Sequence, residues 1–378
     1  MIDMIGKTPP MGWNTWNTFG WNIDERLVRE AADAFVDTGL KEAGYEYIVI
    51  DDCWARKERD QSGRLVPDEN KFPGGMKALA DYIHSKGLKF GIYSCAGVQT
   101  CAGYPGSFEH EFIDAETFAS WGVDYLKYDY CYKPDGVPGH ILYKRMAMAL
   151  RNCGRDILFS ACNWGNDEAE KWMRASGAHI WRSTGDIQDS WASIKQLALS
   201  QLNKECYSGP YCYNDVDMLV VGMYGKGNVA HGGCTDEEYR THFSLWCLMD
   251  SPLMIGCDIR NMNQATKEIL TNKEMIEINQ DPEGRQAYTI KHWNDPDLLI
   301  YVKLLSDGSY AFGFFNMSDK EGEAALHFWD VGLPASAGYG FLLRDVWQHE
   351  DIGVFKEGYK CRLKPHACRV FRARLVKA

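Results

Sequence analysis

The chain has 378 residues, enough for one large domain with a smaller one or for two medium-sized domains. It has 41 Lys and Arg residues against 52 Asp and Glu residues, a net charge of −11, and no basic block. This acidic balance argues against nucleic acid or an anionic membrane as a partner. The 13 Trp and 20 Tyr residues suit the binding of sugar rings, although a large core uses them too.

Segments with helical periodicity alternate with apolar, β-branched segments through most of the chain. The first predicted strand, PPMGWNTW, opens the series. The helices, each with the strand that follows it, are predicted at 24–44 and 45–54, 75–87 and 88–95, 114–122 and 123–131, 140–154 and 156–165, 167–177 and 178–186, 190–205 and 215–222, and 235–251 and 252–259, with a last helix at roughly 263–280. Eight such units in fewer than about 290 residues favour a (β/α)8 barrel over a doubly wound sheet.

The sequence pattern changes after NQDPEG, at about residue 289. Short alternating runs such as DLLIYVKLL and SYAFGFFNM follow, broken by Asp-Gly, Ser-Asp and Pro, with no long helix among them. This pattern is typical of an antiparallel β-sandwich. We therefore predict a barrel domain over 1–288 and an antiparallel β-sandwich domain over 289–378.

The predicted strand DYLKYDYC places two charged side chains on one of its faces. Side chains alternate along a strand, so Tyr125, Lys127, Asp129 and Cys131 share one face, and the residues between them share the other. Burying a charged pair on an interior strand is costly unless the charges are paired or used. The pattern therefore indicates a functional site at this strand.

Polar residues end most of the predicted barrel strands, where barrel enzymes carry their chemistry. From strand 1 to strand 8 they are Trp13 and Trp16, Asp51 and Asp52, Tyr93 and Cys95, Lys127 and Asp129, Cys162, Asn163 and Trp164, Arg182 and Asp186, Asp215 and Asp217, and Asp258. A single Asp in such a loop often caps the next helix, and Asp189 and Asp258 keep that interpretation. Carboxylates at five of the eight strand ends together predict a polar pocket.

Three classes of function suit carboxylates, a Lys, an Arg and Trp faces. One is glycoside hydrolysis by a carboxylate pair, and another is a divalent-metal hydrolase. The ten His residues form no HxH or HExxH pattern and the sequence has no CxxC pair, so we do not expect a metal site. A sugar-binding protein without catalysis stays open, although it leaves the separate carboxylates beside Lys and Arg unexplained.

Several motifs resemble glycoside hydrolase family 27, the family of α-galactosidases and α-N-acetylgalactosaminidases. They are PPMGWNTWNTF, IVIDDCW, CAGYPGSFEHEFIDAETFASWGVDYLKYDYC, WRSTGDIQDSW, NDVDMLVVG and SPLMIGCDIR. The resemblance extends from about Pro9 to the end of the chain and implies a (β/α)8 barrel followed by an antiparallel β-sandwich. The activity it implies is retaining exo-hydrolysis of terminal α-linked galactose from oligosaccharides, without a cofactor. The rivals within the family are α-N-acetylgalactosaminidase, β-L-arabinopyranosidase and isomalto-dextranase.

The resemblance also implies roles for individual residues. Asp129 of the K-Y-D-x-C motif would be the nucleophile, and Asp186 of W-R-x-x-x-D the acid/base. Retention would then place their carboxyl groups about 5–6 Å apart. Asp51 and Asp52 would bind the 4- and 6-hydroxyls, and Arg182 would lie near the 2- and 3-hydroxyls. The whole expected substrate-binding set is Trp16, Asp51, Asp52, Tyr93, Cys101, Lys127, Cys131, Cys162, Asn163, Trp164, Arg182, Asp217 and Met218, with a disulfide between Cys101 and Cys131.

The sequence departs from the family pattern at four positions. Trp21 stands near the usual partner cysteine of Cys53, so that second disulfide is predicted to be absent. Val216 replaces a Pro, and Tyr130 replaces a smaller residue beside the nucleophile. Asn163 stands where galactosidases carry Glu and the animal N-acetylgalactosaminidases carry small residues. Asn163 is expected either to face the sugar's 2-substituent or merely to cap the loop before the next helix.

The remaining expectations concern location and partners. No apolar run approaches the roughly 18 residues of a membrane helix, and MIDMIGKTPPMGWN lacks the charged and apolar regions of a signal peptide. We therefore expect a cytoplasmic protein, or a secreted one if the sequence has been trimmed. The expected partner is an oligosaccharide ending in α-galactose, and a homo-oligomer is left open.

Overall fold

The structure, a computed structural model, describes residues 5–291 and 295–378. Its first domain is built on eight parallel strands: β1 (Met11–Asn14), β2 (Tyr47–Val49), β3 (Lys89–Cys95), β4 (Tyr125–Asp129), β5 (Leu158–Ala161), β6 (Ile180–Arg182), β7 (Tyr213–Asp215) and β8 (Leu253–Ile255). They form one sheet in the order β7-β6-β5-β4-β3-β2-β1-β8. The predicted barrel is therefore confirmed.

The barrel closes between β7 and β8 without a regular ladder among the described strands. Leu219, which follows β7, forms an isolated parallel bridge to Ile255 instead. Its backbone N–H donates to the carbonyl of Met254 (2.7 Å), and its own carbonyl accepts from Gly256 (2.9 Å). This short pairing completes the circle.

Helices surround the sheet and connect its strands. They are α1 (Trp16–Phe19), α2 (Glu25–Asp37), α3 (Leu40–Ala43), α4 (Gly75–Ser85), α5 (Glu111–Trp121), α6 (Gly139–Asn152), α7 (Met173–Ser176), α8 (Trp191–Leu199), α9 (Asp236–Leu248), α10 (Gln264–Leu270) and α11 (Lys273–Asn279), with 3-10 turns at 166–171, 205–207, 259–261, 328–331 and 335–337. Within the described ranges, no helix combines the length and apolarity that a membrane span requires.

Three predicted helices are divided in the structure. The segment 24–44 forms α2 and α3 because Gly39 between them adopts φ +82°, which a continuing helix does not allow. The last helix becomes α10 and α11, and the Asn272 side chain caps the second by accepting from the N–H of Met275 (3.0 Å). The segment 167–177 becomes a 3-10 turn and α7, since Asp167 and Glu168 have positive φ values and Trp172, with φ −134°, separates the turn from α7.

The predicted alternation along β4 is confirmed. Tyr125 belongs to a small apolar cluster inside the barrel, whereas Leu126 and Tyr128 pack in the large core between sheet and helices. Lys127 and Asp129 therefore point into the barrel beyond Tyr125, towards the carboxyl ends of the strands. Burial of the apolar residues on both faces of the sheet holds this strand, and with it the two charged groups, in place.

The second domain is an antiparallel sandwich, as predicted. Its strands are β9 (Tyr288–Lys291), β10 (Leu298–Leu304), β11 (Tyr310–Asn316), β12 (Gly322–His327), β13 (Tyr339–Asp345), β14 (Glu350–Phe355), β15 (Gly358–Leu363) and β16 (Cys368–Lys377). Six strands form a sheet in the order β14-β13-β16-β11-β10-β9, and β12 pairs with β15. A separate apolar core that includes Phe312, Phe341 and Phe371 lies within the sandwich. The exact domain limits, 1–288 and 289–378, stay a prediction.

Several ion pairs join the domains, and two Lys–Asp pairs among them differ strongly in burial. Lys303 on β10 binds the Asp250 carboxylate and the carbonyl of Ile278, and the side chains of Lys303 and Asp250 are both completely buried. Lys195 on α8 binds Asp297 at 3.0 Å, but these side chains are 31% and 42% exposed. Removing the charges of Lys303 and Asp250 from water costs free energy, which their ion pair must offset. Lys195 and Asp297 keep much of their contact with water, so their ion pair has a smaller effect on stability.

Candidate active site

A cavity of about 100 Å³ opens among the carboxyl ends of the barrel strands. It is lined by Trp16, Asn17, Asp51, Asp52, Tyr93, Cys101, Lys127, Asp129, Trp164, Arg182, Asp186, Asp217, Met218 and Val229. Sites for larger ligands usually exceed about 300 Å³. A cavity of this size and polarity suits one sugar ring held by hydroxyl-binding groups.

Asp51 and Asp52 follow β2 and are almost fully buried. The Oδ2 atom of Asp51 accepts from Lys127 Nζ (2.8 Å) and from the Asn14 amide (2.7 Å). Asp52 accepts from the backbone N–H groups of Cys53 (2.7 Å) and Ala102 (2.9 Å). Burial raises the pKa of Asp52, and these N–H groups oppose that effect. The structure thus fixes two adjacent carboxylates that can accept hydrogen bonds from sugar hydroxyls.

Asp129 ends β4 with 6% of its surface exposed. The Tyr93 hydroxyl donates to its Oδ2 (3.1 Å), and the backbone N–H of Tyr130 donates to its Oδ1 (2.9 Å). Burial raises the pKa of Asp129 to about 6, and the Lys127 ammonium limits the rise. The carboxylate is therefore ionised at neutral pH, and both oxygens are held in a fixed orientation.

Lys127 also lines the cavity. Burial alone would lower its pKa, but neighbouring acidic groups, Asp51 first, hold the pKa well above its usual value. Its Nζ lies 5.3 Å from the centre of the Tyr93 ring. Lys127 thus stays charged between Asp51, to which it is hydrogen-bonded, and Asp129, whose ionised form it stabilises.

On the opposite side of the cavity, Arg182 binds two carboxylates, those of Asp186 and Asp217. Its Nη2 donates to Asp186 Oδ1 (2.6 Å) and to Asp217 Oδ2 (2.7 Å). Burial raises the pKa of Asp217 to about 7 in spite of Arg182, with Asp186 adding to the rise. The cavity walls exclude part of the water around Asp186, which would raise its pKa, but Arg182 and Lys127 outweigh this effect and leave the pKa of Asp186 below its usual value. The two carboxyls titrate as one system that retains a proton up to about neutral pH.

The Asp186 side chain differs from Asp129 in its contact with solvent. It is 71% exposed, while the Arg182 side chain that binds it is 4% exposed. A carboxyl that is anchored from inside and open to solvent can reach the leaving group of a bound sugar. Asp129 and Asp186 therefore combine a buried, oriented carboxylate with an accessible acid in one cavity.

The predicted disulfide between Cys101 and Cys131 is confirmed, with a Cα–Cα distance of 5.1 Å. Cys101 lines the cavity, whereas Cys131 lies behind it. Within the described residues, Cys101, Cys131 and Asp129 form the one cluster whose ligand atoms all lie within 4.8 Å of one another. Its two sulfurs are bonded to each other, so they cannot act as thiolate ligands. Cys53 is a free, buried thiol, as expected from the Trp21 position.

Two other predicted binding residues lie behind the cavity wall. The Cys162 sulfur accepts a weak hydrogen bond from Arg182 Nη1 (3.6 Å), so it supports the guanidinium. Asn163 is fully buried, and its amide donates to the carbonyl of Asn166 (2.6 Å). Among the described groups, its Oδ1 has no hydrogen-bond partner. The structure therefore shows Asn163 bracing the loop after β5, while Trp164 lines the cavity.

The sequence interpretation missed two lining residues and misjudged one buried Asp. Asn17 and Val229 line the cavity, and Val229 carries no polar group that could have marked it. Ser190, not Asp189, caps α8. Asp189 is instead buried, accepting from the N–H of Gly225 (2.7 Å) and the Tyr239 hydroxyl (2.8 Å). It holds the glycine-rich loop that contains Val229. Asp258 caps the 3-10 turn at 259–261, and Asn263, not Asp258, caps the helix that follows.

Comparison with known proteins assigns this architecture to a family. Residues 8–281 match the family described as alpha galactosidase A, and residues 295–373 match the alpha galactosidase C-terminal beta sandwich domain. The chain belongs to the α-galactosidase family. Alpha-galactosidase A of Cellvibrio japonicus is 50% identical over 98% of this chain and 93% of its own length. The α-galactosidase of Cyamopsis tetragonoloba is 46% identical over 97% and 86%.

A solved α-galactosidase of Saccharomyces cerevisiae with raffinose superimposes with a TM-score of 0.89 at 29% identity, covering 99% of both chains. Both domains of the α-galactosidase family are thus present in this chain, in the same order. Membership makes the protein a glycoside hydrolase, which excludes the metal-hydrolase and non-catalytic sugar-binding interpretations of the sequence.

Proposed function

We propose that this protein is a retaining exo-α-galactosidase that releases terminal α-linked galactose from oligosaccharides. The observation that carries the proposal is the pairing of Asp129 and Asp186 in a cavity sized for one sugar. Raffinose, which the yeast relative binds, ends in an α-linked galactose and represents the proposed substrate class. Asp51 and Asp52 would accept hydrogen bonds from the hydroxyls that distinguish galactose, in particular the axial 4-hydroxyl.

The proposed reaction has two displacements. In the first, an Asp129 oxygen attacks the anomeric carbon, the glycosidic C–O bond breaks, and Asp186 gives its proton to the departing oxygen. In the second, Asp186 takes a proton from water, and the water oxygen replaces Asp129 on the anomeric carbon. Lys127 supports the first displacement by keeping Asp129 ionised. The acid proton is the one that the interacting pair of Asp186 and Asp217 retains, when it is on Asp186.

The shifted pKa values predict a bell-shaped dependence of kcat/KM on pH. Asp129 must be ionised, so activity is expected to fall below its pKa of about 6. The Asp186–Asp217 pair must hold a proton, so activity is expected to fall above about 7, the pKa of Asp217. Initial rates with a chromogenic α-galactoside between pH 4 and 9 measure both limbs. A kcat/KM that keeps rising above pH 8 would contradict the acid role of the pair.

Asp186→Asn is expected to lower turnover most for substrates with poor leaving groups. The amide cannot donate the required proton, but a leaving group such as dinitrophenolate departs without one. The ratio of variant to wild-type kcat on a dinitrophenyl galactoside and on raffinose is therefore the measurement. Equal losses on both substrates would remove Asp186 from the acid/base role.

The substrate is tested with a panel of chromogenic glycosides. We expect cleavage of α-galactoside to exceed that of α-N-acetylgalactosaminide and β-L-arabinopyranoside. Asn163 is fully buried, so Trp164 is the residue after β5 that lines the cavity. Its rigid indole ring leaves little room beside the sugar for the acetamido group of an N-acetylgalactosaminide. Faster hydrolysis of the N-acetylgalactosaminide would overturn the galactose assignment and leave the roles of Asp129 and Asp186 intact.

A further inference from the structure

The loop after β5 carries Trp164 into the cavity in a backbone conformation that is unfavourable by itself. Trp164, Gly165, Asp167 and Glu168 have φ values of +57°, +76°, +57° and +53°. Non-glycine residues reach this region only at a cost in free energy, so surrounding contacts must hold them there. A Cβ on Gly165 would lie 2.4 Å from the carbonyl oxygen of Ser183, which makes the loop's approach to β6 specific for glycine.

One contact joins this loop to the strand that carries the proposed nucleophile. The Tyr130 hydroxyl donates to Asp167 Oδ2 at 2.5 Å. Tyr130 directly follows Asp129, and its own backbone N–H donates to the Asp129 carboxylate. A single residue therefore binds Asp129 through its backbone and the loop through its side chain.

The Tyr130 ring is fixed by its neighbours. It is 4% exposed, and its centre lies 6.3 Å from the Trp164 ring in an edge-to-face arrangement and 5.7 Å from the Tyr143 ring. Burial, followed by the Asp167 carboxylate, raises the pKa of Tyr130, so the phenol keeps the proton that it donates. The ring is thus a rigid support against which Trp164 packs.

The chain also leaves space for this hydrogen bond. Gly139, at the start of α6, has no side chain, and a Cβ there would lie 2.6 Å from the Tyr130 hydroxyl and 3.0 Å from Asp167 Oδ2. On the far side, the Trp172 indole N–H donates to the carbonyl of Asp167 (2.7 Å). Asp167 is therefore held by its side chain and its backbone at once.

We propose that Tyr130 and Asp167 are positioning residues that fix Trp164 as a wall of the sugar cavity and so set how tightly the site holds its galactose unit. This inference rests on the proposed function. Trp164 touches bound sugar in the ground state and in the transition state alike, so loosening it removes uniform binding. The consequence is a higher KM and a higher inhibition constant for free galactose, with kcat nearly unchanged.

The test compares Tyr130→Phe with Tyr143→Phe. Both variants lose one phenol hydroxyl and keep the ring in the same aromatic cluster, but Tyr143 donates to the carbonyl of Tyr128 (3.3 Å) and not to the loop. Tyr130→Phe is expected to raise KM and the galactose inhibition constant about five- to tenfold, as the loss of one charge-assisted hydrogen bond allows. Tyr143→Phe is expected to leave both constants within about twofold of wild type.

Asp167→Ala should raise KM at least as much as Tyr130→Phe, because Ala also adopts the positive φ of Asp167 less readily than Asp does. The double variant should raise KM no further than Asp167→Ala alone, because both changes remove the same bond. Additive effects in the double variant, or a loss confined to kcat, would overturn the positioning role. So would an unchanged galactose inhibition constant in Tyr130→Phe.

A readout that needs no catalysis separates this inference from the proposed function. Lys171 lies in the 166–171 turn with 55% of its side chain exposed, and trypsin cleaves after Lys. Cleavage at Lys171 should be faster in Tyr130→Phe than in wild type or in Tyr143→Phe. A wild-type protein inactive on α-galactosides would refute the proposed function, whereas equal cleavage in all three proteins would refute the restraint of the loop by Tyr130.

Discussion

Asp129→Asn is expected to lower kcat by at least about four orders of magnitude, because an amide cannot form the glycosyl ester of the first displacement. The fold should survive, since Asn keeps the shape of the side chain: its amide oxygen can accept from the Tyr130 N–H, and its NH2 group can donate to the Tyr93 hydroxyl oxygen. The measurement is kcat on an activated α-galactoside, with circular dichroism and thermal unfolding as checks of the fold.

Asp135→Asn supplies the matched control. Asp135 is an exposed carboxylate six residues further along the same segment, so its replacement changes the net charge equally. It should retain wild-type turnover. An Asp129→Asn protein that turns over within about tenfold of wild type would assign the nucleophile elsewhere.

Lys303→Met is expected to lower the free energy of unfolding strongly. It leaves the Asp250 carboxyl, fully buried, without the ammonium that now binds it. Removing one partner of a buried pair typically costs about 3–5 kcal/mol of the free energy of unfolding. At this chain length we expect a decrease in Tm of roughly 4–6 °C, measured by calorimetry.

Lys195→Met is the control for this change, because it removes an exposed ion pair between the same two domains. Its expected cost is below about 1 kcal/mol. Replacing both Lys303 and Asp250 by apolar residues should recover part of the lost stability, since no buried charge then remains. Similar decreases in Tm for Lys195→Met and Lys303→Met would show that burial does not set the energy of the Lys303 pair.

The parts of the fold that the sequence predicts well are those where one pattern repeats. Burial on both faces gives most barrel strands an apolar run, and this periodicity locates all of them except β7. The run predicted at 215–222 follows that strand, which is Tyr213–Asp215. Charge inside such a run is informative because apolar residues are the default there. The amino-acid pattern by itself therefore identifies Lys127 and Asp129 as site residues.

Features that depend on contacts between distant segments were not predictable. The buried role of Asp189 requires Tyr239 and the loop at Gly225, 50 and 36 residues further along the chain. The position of Asn163 behind the wall follows from positive φ values in the next few residues, which no periodicity reveals. Val229 reaches the cavity because its backbone N–H donates to the backbone carbonyl of Asn17 (3.1 Å). A contact between two backbone groups cannot be recognised from the pattern of side chains.

The closure of the barrel through the short Leu219 pairing gives the cavity two sides of unequal stiffness. Asp51, Lys127 and Asp129 belong to β2 and β4 or follow them directly, and continuous ladders through β3 join these strands. Asp217 precedes the isolated bridge, and its backbone carbonyl is held by the Trp246 indole N–H. Any widening needed to admit a sugar ring or release the product should therefore occur between β7 and β8, while the side that carries Asp129 keeps its geometry.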